Sequence, residues 1–163
     1  MRIPVKLSVN DMITAHQVAL VRATSREIKV DRSFQKLSWH ENIARDAEAA
    51  GAEIAFAKWL GIDDFELTVD TFKSSADVGS HYEVKWTHWE DGSLILTERD
   101  RQQDIAILVT GRAPNLYIAG WIPISMARPE RRRRSDNSWW VGQQDLHPME
   151  NLRRSSHADN TQI

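Results

Sequence analysis

The chain contains no cysteine, and this absence excludes several kinds of site at once. Disulfide scaffolds, thiolate zinc sites and cysteine nucleophiles all require the sulfur atom, so these 163 residues form none of them. A chain without cysteine is compatible with a reducing compartment. We therefore expect a cytoplasmic protein, in the interior of a bacterial or host cell.

A long apolar run and a marked charge excess are absent as well. The longest aliphatic run, Ile105–Val109, is far shorter than the ~20 residues that cross a bilayer, and residues 1–10 hold no stretch of signal-peptide length. We therefore expect no membrane association. With 21 Lys and Arg against 23 Asp and Glu, the net charge of −2 lacks the global basic character of a histone-like protein. Any surface for nucleic acid must be local.

The length and the hydrophobic content of 41% predict a single domain with a real core. We place this domain at residues 1–152, with an N-terminal helical extension at 1–40 and the core at 41–149. The polar residues 153–163 are expected to form a disordered tail.

Two helices are predicted in the first third of the chain. Ser8 or Asn10 provides a cap for a helix from Asp11 to about Lys29. A second helix is expected over residues 41–60, because apolar residues recur there at three- and four-residue steps and Gly61 follows as a stop.

From residue 65 the apolar period changes to that of strands. Five short β-branched or aromatic runs are separated by turn residues, at 65–71, 82–87, 94–97, 105–109 and 116–122. Asp91-Gly92 between the second and third runs predicts a hairpin. The pattern therefore predicts an α+β fold, in which helices pack on a central mixed or antiparallel sheet of about five strands.

The second predicted strand and the residues before it contain a candidate metal site. Because side chains alternate along a strand, Glu83 and Lys85 share one face, and His81 lies on the same face. A turn at Gly79 would bring Asp77 beside Glu83, so that two carboxylates and the Val84 carbonyl offer the oxygen ligands that Mg²⁺ prefers. Lys85 would then orient the attacking water, and His81 is a secondary contact for phosphate. A solvated charge pair on a sheet explains Glu83 and Lys85 equally well.

The order of these motifs resembles that of a known superfamily. A helix bearing Gly51-Ala-Glu53 and ending at Leu60-Gly, then a strand, then Asp77-x5-Glu83-Val-Lys85 resembles the PD-(D/E)XK nucleases of the restriction-endonuclease-like fold. The residues around 107–111, 120–123 and 140–149 are similar to a small phage or bacterial group within it. The resemblance covers residues 41–149.

The resemblance implies specific roles for these residues. Asp77 and Glu83 would be the metal carboxylates, Lys85 the catalytic lysine and Glu53 an accessory acid from the helix. The implied activity is hydrolysis of DNA phosphodiester bonds with Mg²⁺, or Mn²⁺ in its place.

Three departures from the superfamily pattern concern the first carboxylate and the edge of the sheet. Ala76 occupies the position of the proline in the motif, and Asp70 is a rival to Asp77 as the first carboxylate. Residues 98–104 are too few for the second flanking helix of the superfamily core, so a shortened core or a loop is expected there.

A basic segment follows the last predicted strand. Arg128 and Arg131 to Arg134 precede Trp139 and Trp140, which together suggest a flexible arm that neutralises phosphates and stacks an aromatic ring on a base. A solvated loop is the alternative, because adjacent arginines repel one another.

Two functions follow from these features. The first is a Mg²⁺-dependent nuclease acting on DNA, which would need a homodimer to cut both strands. The second is a non-catalytic module that binds DNA or a protein through Arg131 to Arg134 and the Trp pair. A third possibility, a purely structural α+β protein, predicts that the carboxylates are dispersed.

Overall fold

The computed structural model describes residues 1–25, 37–69 and 76–155. The protein has the α+β fold expected from the sequence. Its strands are β1 (Ile3–Lys6), β2 (Tyr82–Thr87), β3 (Leu94–Thr97), β4 (Ile105–Arg112), β5 (Asn115–Pro123) and β6 (Ser138–Val141). Its helices are α1 (Val9–Ser25), α2 (Trp39–Leu60), α3 (Ile124–Ala127) and α4 (Met149–Leu152), with 3₁₀ turns at Glu130–Arg132 and Gln143–Asp145. None of the helices in the described ranges is both long and apolar enough to span a membrane.

Local side-chain hydrogen bonds define the ends of the two long helices. Before α1, the Asp11 amide donates to Ser8 Oγ at 3.1 Å and the Ser8 amide donates to Asp11 Oδ2 at 2.7 Å. Ser38 and Glu41 form the same reciprocal capping box at the start of α2, which begins two residues before the predicted position. Gly61, with φ of 81°, ends α2 in the left-handed conformation that glycine adopts without strain.

The main sheet has four strands in the order β1-β5-β4-β2. β4 runs parallel to β2 and antiparallel to β5, and β1 is antiparallel to β5, so the sheet is mixed. The predicted first strand is wrong over residues 65–69, which are irregular; residues 70 and 71 lie outside the described residues. The N-terminal residues are part of the core rather than an extension, because β1 joins the sheet and Ala15 of α1 is buried.

A second, two-stranded sheet forms between β3 and β6. The predicted hairpin of β2 with β3 is therefore wrong, although Asp91 and Gly92 do lie in a turn. Leu94 and Leu96 of β3 are fully buried against Trp139 and Val141 of β6, and burial of this apolar layer decides the pairing. Residues 98–104 form turns, so a loop replaces the second flanking helix.

The main sheet is covered on both faces. Ile105, Ile107 and Val109 of β4 face α2 and belong to the larger core, whereas Ala106 and Leu108 face the second sheet. In β2, Tyr82 packs edge-on against Phe56 of α2 with ring centroids 5.1 Å apart. By strand alternation, the side chains at positions 83 and 85 point to the opposite face, toward the second sheet.

Arg153, the first residue of the predicted tail, contacts helix α2. The Arg153 guanidinium lies 4.6 Å from the centre of the Trp59 ring and donates to the Trp59 carbonyl at 2.7 Å. Arg153 is thus packed against α2, and residues 154 and 155 follow it directly. Residues 156–163 lie outside the described residues.

Candidate active site at strand β2

Glu83 and Lys85 meet on the inner face of β2, and a third residue joins them. Lys85 Nζ lies 2.9 Å from Glu83 Oε1 and 2.6 Å from Asp100 Oδ1. The two carboxylate side chains are only 3% and 4% exposed, and Lys85 retains 24% exposure. We call these three residues the charge triad. The charges are therefore enclosed by protein, and the pair is not a solvated surface pair.

The triad holds Lys85 in its charged form. Burial is the largest single influence on Lys85 and lowers its pKa, but the attraction and hydrogen bonds of Glu83 and Asp100 together outweigh it. The pKa of Lys85 is therefore raised above its usual value, and the side chain is an ammonium at neutral pH.

Asp100 is the member of the triad that the sequence analysis missed. It lies in the turn after β3, where the Thr97 amide donates to its Oδ2 at 2.7 Å. The one local signal was the Thr97-x-x-Asp100 spacing, which is typical of a turn whose side chain accepts from the backbone. Nothing in that spacing indicates that the turn packs against Lys85, because the two residues meet only in the folded chain.

A second ion pair supports the same region. Arg101 donates to both oxygens of the buried Asp104, at 2.8 Å each, and to the Ser80 carbonyl at 3.1 Å. The hydrogen bonds to Asp104 raise the pKa of Arg101, and the charge of Glu83 adds to this effect. Arg101 therefore ties the turn after β3 to the residues that lead into β2.

Asp77 lies at the open edge of β2. Gly79, with φ of 59°, turns the chain so that Val78 pairs with Tyr82, and the Val84 amide donates to Asp77 Oδ2 at 2.8 Å. The N–H and C=O groups of one strand residue point to the same side, so the Val84 carbonyl faces this edge too. The predicted turn is confirmed, and Asp77 is held between the backbone positions of Glu83 and Lys85.

Glu53 lies elsewhere. It is buried on α2, the helix on the Tyr82 side of the sheet, and Arg22 of α1 donates to its two oxygens at 3.3 and 3.4 Å. Arg22 also donates to the Thr68 carbonyl. Because Glu53 and Glu83 belong to opposite faces of the sheet, the structure does not place Glu53 in the charge triad.

Of the remaining predicted ligands, His81 lies in the described part of the chain, at the margin of the site. His81 directly precedes β2 and is half-buried, with its Nδ1 2.9 Å from the Ser80 hydroxyl oxygen. The side chain at position 70, the rival for the first carboxylate, lies outside the described residues.

Oxygen atoms of the kind that Mg²⁺ prefers are present at β2. Across residues 1–25, 37–69 and 76–155, no three acidic or histidine side chains are grouped as ligands of one ion. Mg²⁺ does not need such a group, because it keeps several waters and commonly takes one or two carboxylates. Asp77 and the Val84 carbonyl at the strand edge, with Glu83 next in the chain, supply oxygen donors of this kind.

A large cleft lies beside the C-terminal half of β2, at Lys85, Trp86 and Thr87. Its volume is about 1190 Å³, and helices α1 and α2 border one side while the second sheet borders the other. We call it the β2 cleft. Residues that line it and bear on function are Lys85, Trp86, Trp89, Ile95, Arg112 and Trp140. The lysine of the charge triad is thus one of the residues that line the cleft.

The arginine segment is ordered by contacts with the second sheet. Arg134 lies over the Trp140 ring at 4.3 Å, and the Arg134 amide donates to the Ser138 carbonyl. Arg133 forms ion pairs with Glu98 and Glu130. Arg133 and Arg134 of the predicted arm thus contact neighbouring elements, and phosphate binding by the arginine segment stays a prediction.

The two tryptophans after this segment differ in exposure. Trp139 is 5% exposed, with the guanidinium groups of Arg128 and Arg133 over its ring at 5.6 and 5.7 Å. Its predicted stacking on a base is wrong, because protein covers the ring. Trp140 is 48% exposed, and Arg131 and Arg132 are exposed as well.

Comparison of the chain with models of protein families, with curated proteins and with solved structures found no match. The functional assignment therefore depends on the residues around β2.

Proposed function

We propose that the protein is a Mg²⁺-dependent nuclease that hydrolyses DNA phosphodiester bonds at the open edge of β2. The observation that carries the proposal is the hydrogen bond that the Val84 amide donates to Asp77. This bond holds Asp77 at the edge of the strand that carries Glu83, the Val84 carbonyl and Lys85, and Lys85 also lines the β2 cleft.

Each residue has a distinct task in this proposal. Asp77, Glu83 and the Val84 carbonyl would hold Mg²⁺, whose chemistry when bound is Lewis-acid activation of water and phosphate. Lys85, whose side chain lines the cleft, would orient the attacking water. Asp100 and Glu83 position the lysine, because both hold its Nζ from the protein side.

The test is cleavage of a labelled DNA by the purified protein with Mg²⁺, Mn²⁺ or EDTA. Asp77→Asn is the sharpest variant, because the amide oxygen still accepts from the Val84 amide while the negative charge is lost. We expect Asp77→Asn to lower cleavage at least about a hundredfold. Asp63→Asn, at an exposed position after α2, is the matched control and should cleave like the wild type.

The result that contradicts the proposal is equally definite. Cleavage that persists in EDTA, or that is the same in Asp77→Asn and Asp63→Asn, would remove Asp77 and Mg²⁺ from the activity. A gel-filtration profile with and without DNA tests the proposed homodimer, which cutting of both strands requires. We place the reaction in the cytoplasm, where DNA is accessible.

A non-catalytic DNA-binding module is the second candidate. The observation that favours it is the charge triad itself, in which two buried carboxylates already neutralise Lys85. In that case the protein should bind DNA with equal affinity in Mg²⁺ and EDTA, and no cleavage should appear at any concentration of the metal. The same cleavage assay therefore separates the two candidates.

A further inference from the structure

Three large apolar side chains stand exposed on one wall of the β2 cleft. Trp89 is 63% exposed, Trp140 48% and Ile95 41%, and all three line the cleft. Ile95 and Trp140 are opposite one another in the pairing of β3 with β6, so their side chains share a face of the second sheet. Clustered exposed aromatics rimmed by polar groups are typical of a binding surface. We call these three residues the aromatic wall.

The aromatic wall is held in place by the surrounding chain. The Gln143 side-chain amide donates to the Glu90 carbonyl at 2.7 Å and to the Gly92 carbonyl at 3.0 Å. These bonds join the turn that carries Trp89 to the residues that follow β6. Trp140 is oriented by its indole N–H, which donates to Ser138 Oγ at 3.1 Å. Both rings are therefore presented at defined positions, which lowers the entropic cost of binding a ligand.

Positive charge accompanies these rings. Arg134 lies over the Trp140 ring, and the side chains of Arg45 and Arg112 line the cleft. Two glutamates, Glu41 and Glu48, line the cleft as well, and both are engaged in hydrogen bonds within the protein. Glu48 accepts from the Ala113 amide. Glu41 is engaged in the cap of α2. Aromatic faces beside cations match a chain that alternates flat bases with phosphates.

We infer that the aromatic wall binds unpaired nucleotides, with bases stacked on Trp140 and Trp89 and phosphates directed to the cations of the cleft. Bases inside a duplex are stacked on one another and offer no free face, so single-stranded DNA is the ligand that this wall selects. The inference rests on the proposed function in one respect, since it names the substrate class of the same cleft. The substrate of the site at β2 is therefore DNA whose bases are already unpaired.

The test is fluorescence anisotropy in EDTA, so that binding is measured without cleavage. The probes are a labelled single-stranded oligodeoxynucleotide, its abasic counterpart with the same number of phosphates, and the matching duplex. We expect the single strand to bind most tightly, and Trp140→Ala to weaken its binding on the order of tenfold. Trp140→Phe, which keeps a stacking face, should retain most of the affinity.

Two comparisons make the result specific to stacking. Trp140→Ala should leave the affinity for the abasic probe unchanged, because that probe has no base to stack. Met126→Ala removes another large exposed apolar side chain, 64% exposed on α3, and should have no effect on any probe.

The inference is overturned if the single strand, the abasic probe and the duplex bind equally, since binding is then electrostatic. It is also overturned if the protein binds none of the probes, or if an apolar peptide competes for the wall and DNA does not. Failure of the proposed nuclease is distinguishable: single-strand binding would depend on Trp140 while Mg²⁺ produced no cleavage. Conversely, cleavage that is indifferent to Trp140 would reject the wall and retain the nuclease.

Discussion

Replacement of Lys85 by methionine tests the energetic role of the charge triad. Methionine keeps the length and the apolar stem of the side chain but removes the ammonium. Glu83 Oε1 and Asp100 Oδ1, which lie 2.9 and 2.6 Å from the lysine nitrogen, would then lose the ammonium that lies between them. Both carboxylates are almost completely buried, so water does not replace the lost charge.

The expected loss of stability is large. Removal of one partner from a buried ion pair costs about 3–5 kcal/mol, and Lys85→Met should be near 3 kcal/mol because a quarter of the lysine side chain is exposed. That loss is a large fraction of the ~5–15 kcal/mol by which native proteins are stable. Because the pKa of Lys85 is raised above 10.5, the stabilisation by its ammonium should be complete at lower pH and be lost as the pH rises through that raised value.

Urea unfolding, followed by far-ultraviolet circular dichroism at several pH values, measures the effect. Lys6→Met on β1 is the matched control, because Lys6 is exposed and should change stability by less than about 0.5 kcal/mol. The double variant Glu83→Gln/Lys85→Met should be more stable than Lys85→Met, since it removes one of the two carboxylate charges left without the ammonium. Equal stability of Lys85→Met and Lys6→Met would refute the reasoning, and so would a double variant less stable than Lys85→Met.

Three further predictions concern elements outside the triad. Burial raises the pKa of Asp11, but hydrogen bonds from Lys58 and from the start of α1 lower it by a larger amount. Its pKa in the folded state therefore lies below 3.8. Asp11→Asn should therefore reduce stability at neutral pH, and melting curves of the two proteins should converge as the pH falls below that value. Ser38→Ala, which removes the cap of α2, should cost about 1 kcal/mol in urea unfolding; no change would mean that the cap is redundant. Gly120→Ala would place a Cβ 2.8 Å from the His147 carbonyl oxygen and should cost about 1–3 kcal/mol, and an unaltered melting temperature would contradict this close packing.

The helices and most strands could be predicted because their signals are local. Helix α2 begins with the Ser38–Glu41 box and ends at Gly61, all within a few residues of its ends. Strands β2, β4 and β5 follow from β-branched and aromatic runs; β2 has the predicted bounds, and the bounds of β4 and β5 differ from the prediction by up to three residues. Strand β1 was missed because Pro4 lowers the local strand preference, and pairing with β5 compensates for it.

The sequence by itself determined that Glu83 and Lys85 share a face, since alternation is a property of any extended chain. Only the tertiary structure decided that this face is buried under the second sheet, that Asp100 completes the triad and that Glu53 lies across the sheet. It also decided that β3 pairs with β6 rather than β2, and that Trp140 is exposed while Trp139 is covered. These outcomes depend on contacts between residues that are distant in the chain, and the apolar burial that selects them has no local pattern.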